Sequence, residues 1–397
     1  MPPASGTPRP TAPATARDTF EPHLGSPIRP RELVGLEPAT RDRIITRSRT
    51  SPEFASATRE ALRVTTGRSH RAQLGHVLAH ASPQGAQDLA ALARGAPSRL
   101  LSRDSRGQTL LSNLDRLATA PLHADLRGWS REQLVNGALA DTARPQTINQ
   151  GAAGACGVTS VFHPLARDQP AEYVRIATDL ATTGRARLRG GPAGGGFSQL
   201  DPGLALVPAR PPEPGDGLRG EFRSATSRVL QNAAMEAANG RATYDADNDR
   251  HSWGRSGVSH GQPGSLASQL YGPRFMLQLF GGEGGQSPRQ ATTVLRDALS
   301  RSNPSSGPVI ATVRLPQGNH AVEVQRLQNG VATIRDPNGA QGASAFSTQL
   351  PGVTATSEPG VYTIPMSALE RSLEAIEAPA PPPPPPELPR GPRVTTP

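Results

Sequence analysis

The chain has no lysine: all 42 of its basic residues are arginine. It has one cysteine, Cys156, and aromatic residues make up only 4% of its 397 residues. Each scarcity excludes something. A single thiol forbids an intramolecular disulfide or a cysteine-cluster zinc site, so nothing speaks for an oxidising compartment. Few aromatics, not interleaved with the scattered arginines, leave no stacking platform for nucleic acid despite a net charge of +9. No window comes near the roughly 18 apolar residues of a membrane helix. The opening "MPPASGTPRPTAPATARDTFEP" lacks the apolar core of a secretory signal. The chain therefore reads as soluble. It suits either a cytoplasmic enzyme of a GC-rich bacterium or an effector delivered by a specialised system, for which a lysine-free surface would resist modification inside another cell.

What the sequence does have is 41 glycines and 42 prolines, concentrated enough to divide it. Residues 1–54 are rich in Pro, Thr, Ala and Arg without period and read as disordered. Residues 55–145 turn helical. Ser82-Pro83 opens one helix, Thr109 caps a run of Leu110, Leu111, Leu114 and Leu117, and Ser130 with Gln133 forms a capping box. This segment reads as a small helical domain, a cover or a targeting module. Residues 146–377 begin with helices, including "PAEYVRIATDLATTG" between Pro170 and Gly184, and end in β-type runs. These are "VIATVRL", "HAVEVQRL", "VATIRD" and "GVYTIPM", with Asn329-Gly330 as a hairpin turn; "SALERSLEAIEA" reads as a final helix. Residues 378–397 form a polyproline tail, extended and solvated, a linker or a ligand for a proline-binding module.

The chemistry gathers around Cys156. Val158, Val161, Phe162 and Leu165 fall on one helical face just after it, and Gly151 and Gly154 precede it. The thiol then stands in the first turn of a buried helix, where free N–H groups and the helix dipole favour a thiolate. Pro164 should kink or end that helix early. A thiolate nucleophile needs a base, and the base an orienting group. His320 heads the Asn-Gly hairpin and Asp336 ends the returning strand, sixteen residues later. A strict two-residue turn would put them on opposite faces, so the pairing requires a longer loop or a bulge. Gln150, six residues before the cysteine, could join the Cys156 backbone N–H in holding an oxyanion. His163 is on the same helix as Cys156 but about ten ångströms along its axis, too far for direct proton transfer. "YDADNDRHSWG" echoes half a calcium loop but lacks the glycine and glutamate that would complete it.

The order and spacing of Gln150, Cys156-Gly157, His320-Ala321-Val322 and Asp336 resemble the papain-like cysteine peptidase superfamily. The Asp-Pro ending is more similar to its bacterial bacteriocin-processing branch. "DPNG" keeps the glycine of the papain motif and lacks the tryptophan that shields the histidine–acid pair. The resemblance spans about residues 146–370. It implies an α+β fold with the cysteine helix packed on an antiparallel sheet, and a thiol peptidase acting on a polypeptide without metal or cofactor. It also implies the roles of Cys156 as nucleophile, His320 as base, Asp336 as orienter and Gln150 as oxyanion donor. Two other readings stand beside it. Transglutaminase-like and deamidase folds run cysteine, histidine and aspartate in the same order and act on glutamine side chains. A non-catalytic interaction protein would work through its ends and its polyproline tail.

Overall fold

A computed structural model describes residues 25–65, 67–95, 98–126, 128–151, 153–189, 205–206, 223–238, 244, 257–281, 285–339 and 349–382. The chain is a mixed α+β protein whose helices precede most of its strands. The helices are α1 (Pro38–Thr50), α2 (Pro52–Val64), α3 (Arg68–Leu78), α4 (Pro83–Ala93), α5 (Leu110–Thr119), α6 (Arg131–Ala143), α7 (Cys156–Asp168), α8 (Pro170–Thr183), α9 (Ala225–Ala238), α10 (Gln262–Tyr271), α11 (Ala291–Arg301) and α12 (Met366–Ser372). The strands are β1 (Ala186–Arg187), β2 (Ala205–Leu206), β3 (Phe275–Leu279), β4 (Val309–Leu315), β5 (Gly318–Gln328), β6 (Val331–Arg335), β7 (Thr354–Ala355), β8 (Val361–Pro365) and β9 (Leu373–Pro379).

Local chemistry sets the helix ends. The hydroxyls of Ser82, Thr109 and Ser130 accept N–H groups of the first turns of α4, α5 and α6, and Ser130 with Gln133 completes the reciprocal capping box. Gly184 closes α8 with φ of 70°, a conformation that costs a side-chain-bearing residue energy. Helices begin earlier than composition suggests: a 3₁₀ turn at Pro30–Leu33 and all of α1 lie inside the stretch read as disordered. Residues 1–24 are outside the described residues. Nor is 55–145 packed as a separate unit. From Ile28 to Tyr271, helices α1–α10 bury their apolar faces in one continuous core, which also takes Phe275, Ile310 and Ala321 from the sheet.

Seven strands form an antiparallel sheet in the order β3-β9-β4-β5-β6-β8-β7. Helices α7 and α10 lie on one face, and α11 and α12 close the other over a second core of Val309, Val322, Ile334, Ile376 and their neighbours. The expected final helix is half wrong. Met366–Ser372 is helical, but Leu373–Pro379 is β9, inserted between β3 and β4 and buried along almost its whole length. Tertiary pairing overrides local helix propensity here, because β4 would otherwise offer an unpaired buried edge. The strand also takes in Ala378 and Pro379, the first residues read as tail; residues 383–397 lie outside the described residues. Among the described residues no helix is long and apolar enough to cross a membrane.

Helix α7 does not stop at Pro164 but runs to Asp168. The proline removes one intrahelical hydrogen bond, and side-chain anchors hold the helix against the sheet on either side of the gap. Ser160 Oγ donates to the Ala321 carbonyl at 3.2 Å, His163 Nδ1 to Glu323 Oε2 at 3.0 Å, and Arg167 Nη1 to Glu323 Oε1 at 2.9 Å. The cysteine helix and the histidine strand are thereby bound to each other directly.

Candidate active site

Cys156 is the first residue of α7, so its sulfur lies among backbone N–H groups that have no intrahelical acceptor. The approach loop is pinned to the sheet: Gln150 N–H donates to the Pro337 carbonyl at 2.7 Å. On the other side, Gly157 lets the chain before α10 come close. A Cβ there would meet Val258 Cγ2 at 2.6 Å and Pro263 Cγ at 2.8 Å. The thiol is thus held between the end of β6 and the entry to α10, partly exposed at the bottom of an open cleft of about 1350 Å³.

The imidazole comes from β5. His320 Nε2 donates to Asp336 Oδ1 at 2.8 Å, and the ring's remaining side is hydrogen-bonded to Cys156. Asp336 is fully buried; its Oδ1 also takes the Asn338 N–H at 2.8 Å, which shapes "DPNG" into a turn. The electrostatics are those of an ion pair. Burial alone would push the Cys156 thiol up, but its hydrogen bond to His320, the imidazolium charge and the N–H groups of Ala321 and Gly157 bring it below its ordinary value. Burial likewise disfavours the His320 cation, yet Asp336 and then Cys156 outweigh it and hold the imidazole at about 10. Both shifts run in the direction that favours the charged pair, thiolate with imidazolium, over the neutral one.

Gln150 lines the same cleft, with one amide N–H committed to the Ala153 carbonyl at 2.9 Å and its second N–H left over. His163 is not a rival base. It is buried against Glu323, and burial outweighs that partner in lowering its pKa to about 4. The "YDADNDRHSWG" acids lie outside the described residues; among the described residues no cluster of three or more candidate metal ligands occurs.

The structure thus brings Cys156, His320, Asp336 and Gln150 to one place. It adds residues that sequence patterns did not single out: Glu323, which accepts from His163 and Arg167 of the cysteine helix, and Thr312, His260 and Glu377 around the cleft. Glu377 carried a signal, since an acid inside the apolar run "LEAIEAP" has no solvated face if the run is a strand. In comparisons with known proteins, no family model matches this chain and no curated protein does.

Proposed function

We propose that this protein is a cysteine hydrolase of papain-like arrangement, a thiol peptidase cleaving peptide or isopeptide bonds of a polypeptide substrate. The observation that carries the reading is the Cys156–His320–Asp336 chain, its histidine and acid buried and its thiol partly exposed at the floor of an open cleft. A structural cysteine needs no imidazole, and a thiol lowered beside an imidazole raised to about 10 is the pairing expected of a nucleophile and its base.

In the proposed reaction the Cys156 thiolate attacks the carbonyl carbon. Negative charge moves to the oxygen, where the Cys156 backbone N–H and the spare Gln150 N–H would receive it. The C–N bond breaks as the imidazolium, through the nitrogen not bonded to Asp336, gives its proton to the leaving amine. A thioester remains. Water, deprotonated by the now neutral His320, attacks it, releasing the carboxylate and restoring the ion pair. Asp336 keeps the ring oriented throughout and stabilises its cationic form, the role an acid plays in other nucleophile–histidine–acid triads.

The test is incubation of the full chain with a mixture of unstructured peptides, reading new termini by mass spectrometry and free ammonia in the same sample. New termini that vanish in Cys156→Ala support peptidase action. Ammonia without new termini moves the assignment to glutamine deamidation by the same three residues. Neither product, over a broad peptide set, removes the hydrolase reading.

A further inference from the structure

The polar groups around the cleft are unevenly satisfied. Glu377 Oε1, Gln150 Oε1 and His260 Nε2 are all out of contact with solvent, line the cleft that holds Cys156, and have no hydrogen-bond partner among the described residues. Unsatisfied buried polar atoms are rare in folded proteins, and several in one cleft point to a group that completes them on binding.

Glu377 is the most telling. It is 1% exposed, in the interior of β9. Its other oxygen, Oε2, accepts the Gly264 N–H in the first turn of α10, and Gly264 must lack a side chain because a Cβ would stand 2.6 Å from that oxygen. Four buried carboxylates have guanidinium partners: Glu172 with Arg175, Asp179 with Arg116 and Arg175, Glu323 with Arg167, and Asp88 with Arg144. Three others, Asp104, Asp141 and Asp336, instead have side-chain donors: Asn113, Tyr173 with Ser224, and His320. Glu377 has none, and no arginine is among the described residues that line the cleft. The cysteine and histidine charges cancel each other, so this carboxyl, once ionised, adds a negative charge to the cleft.

All three unsatisfied atoms can accept a hydrogen bond: a carboxyl oxygen, an amide oxygen, and an imidazole nitrogen when unprotonated. Three acceptors, one of them on an acid with no cationic partner among the described residues, call for a ligand rich in N–H donors and positively charged. Resting on the reading of this cleft as a peptide-binding active site, we infer that Glu377 is its specificity-determining residue, selecting a basic side chain, arginine or lysine, near the bond presented to Cys156. Charge-assisted N–H···O bonds of this kind are worth more than neutral ones and are strongest where water is excluded.

The experiment is calorimetric titration of blocked tripeptides, with arginine, lysine, norleucine or glutamine at the central position, into the full-length Cys156→Ala chain. That variant binds without turnover, so the result does not depend on whether the thiol is reactive. The basic peptides should bind about tenfold or more tighter than norleucine, the difference expected of one charge-assisted hydrogen bond, and the preference should disappear when Glu377→Gln is added. Equal binding of arginine and norleucine peptides overturns the inference without any variant at position 377. So does a basic preference that survives Glu377→Gln, or glutamine bound as tightly as arginine, which would mean that the cleft reads a carboxamide. Failure of the thiol chemistry is detected separately, by alkylation of wild-type Cys156.

Discussion

His320 and Asp336 meet at 2.8 Å because the strand between them carries one extra residue. The turn is the tightest kind, Asn329-Gly330 with φ of 51° and 74°, and Gln328 pairs with Val331 across it. Carried straight down the ladder, that register sets Asp336 opposite Glu323, on the other face from His320. A bulge between Val324 and Arg326 changes it, so that Glu323 pairs with Arg335. One step further, Asp336 falls against Val322, on the side His320 shares. Deleting Gln325 should therefore separate the pair while leaving both residues in the sequence. The expected outcome is loss of Cys156 alkylation by iodoacetamide at pH 6, retained in Gln325→Ala. A deletion variant that still reacts at pH 6 would show that the bulge does not set the triad.

The reactivity expected of Cys156 should depend on His320. With only one cysteine in the chain, alkylation reports on a single residue. Wild type should react well below the ordinary thiol pKa of about 8.5. In His320→Ala, burial is no longer opposed by the imidazolium, and the half-point should move to or above that value. Superimposable pH profiles would leave Cys156 as a packing residue.

Asp336 acts on the other limb. It is the strongest of the partners that hold the imidazolium, and the Asp336→Asn amide keeps the shape while losing the charge. The His320 titration near pH 10 should move to lower pH, read as a shift in the His320 ring-proton NMR resonance. The hydrolytic rate should fall by roughly 10²–10⁴, as when a triad acid is neutralised elsewhere. An unmoved His320 titration would assign the acid a purely structural part.

Much of this site was legible because its signals are local. The Cys156 helix start, the strand ending at Asp336 and the Asn-Gly turn are each written within a few residues, and so are the caps at Ser82, Thr109 and Ser130. That the register needs a longer loop or a bulge also followed from strand parity alone. Its position at Gln325 did not, since nothing distinguishes that residue until β5 is paired. Leu373–Pro379 read as helix because "SALERSLEAIEA" has helix formers throughout; only the vacancy between β3 and β4 makes its second half a strand. The early helix α1 hid in a Pro- and Arg-rich stretch because its burial of Ile44 depends on partners far along the chain. The signal at Glu377 is legible only once Leu373–Pro379 is read as a strand rather than a helix.

Glu323 ties the two halves of the site together, accepting from His163 and Arg167 of α7. Burial alone would raise its carboxyl, but these partners bring it down to about 2. A depressed acid contributes stability that is present above its ordinary pKa and lost as pH falls toward the folded value. Glu323→Gln leaves the Arg167 guanidinium without this charge partner and the neutral, buried His163 without its charged acceptor, and should cost about 3 kcal/mol at pH 7 by denaturant unfolding. The difference should shrink as pH approaches 2. A cost that does not change with pH would mean that shape, not charge, is what the site requires.

Glu377 works in the opposite sense. Burial, opposed only by the Gly264 and Gly261 N–H groups, lifts its carboxyl from the ordinary 4.5 to about 7. The folded chain therefore holds this proton more tightly than the unfolded one. The associated stability is complete below pH 4.5, declines as pH rises toward 7 and is gone above it, a change of about 3 kcal/mol at 1.36 kcal/mol per pKa unit. Asp141, buried and likewise lifted to about 7, adds a slope of the same sign, so the wild-type curve alone does not isolate Glu377. The comparison with Glu377→Gln does. The amide can still accept the Gly264 N–H but carries no charge, so the variant should gain on wild type by about 3 kcal/mol between pH 4 and pH 8. A ligand that brings a positive charge to Glu377 should remove that gain, because it lets the wild-type carboxylate ionise without penalty. Saturating the wild-type chain with an arginine peptide should accordingly flatten its stability curve between pH 5 and 7, whereas a norleucine peptide should leave the slope unchanged. Equal slopes with both peptides would mean that the carboxyl supports α10 and meets no substrate.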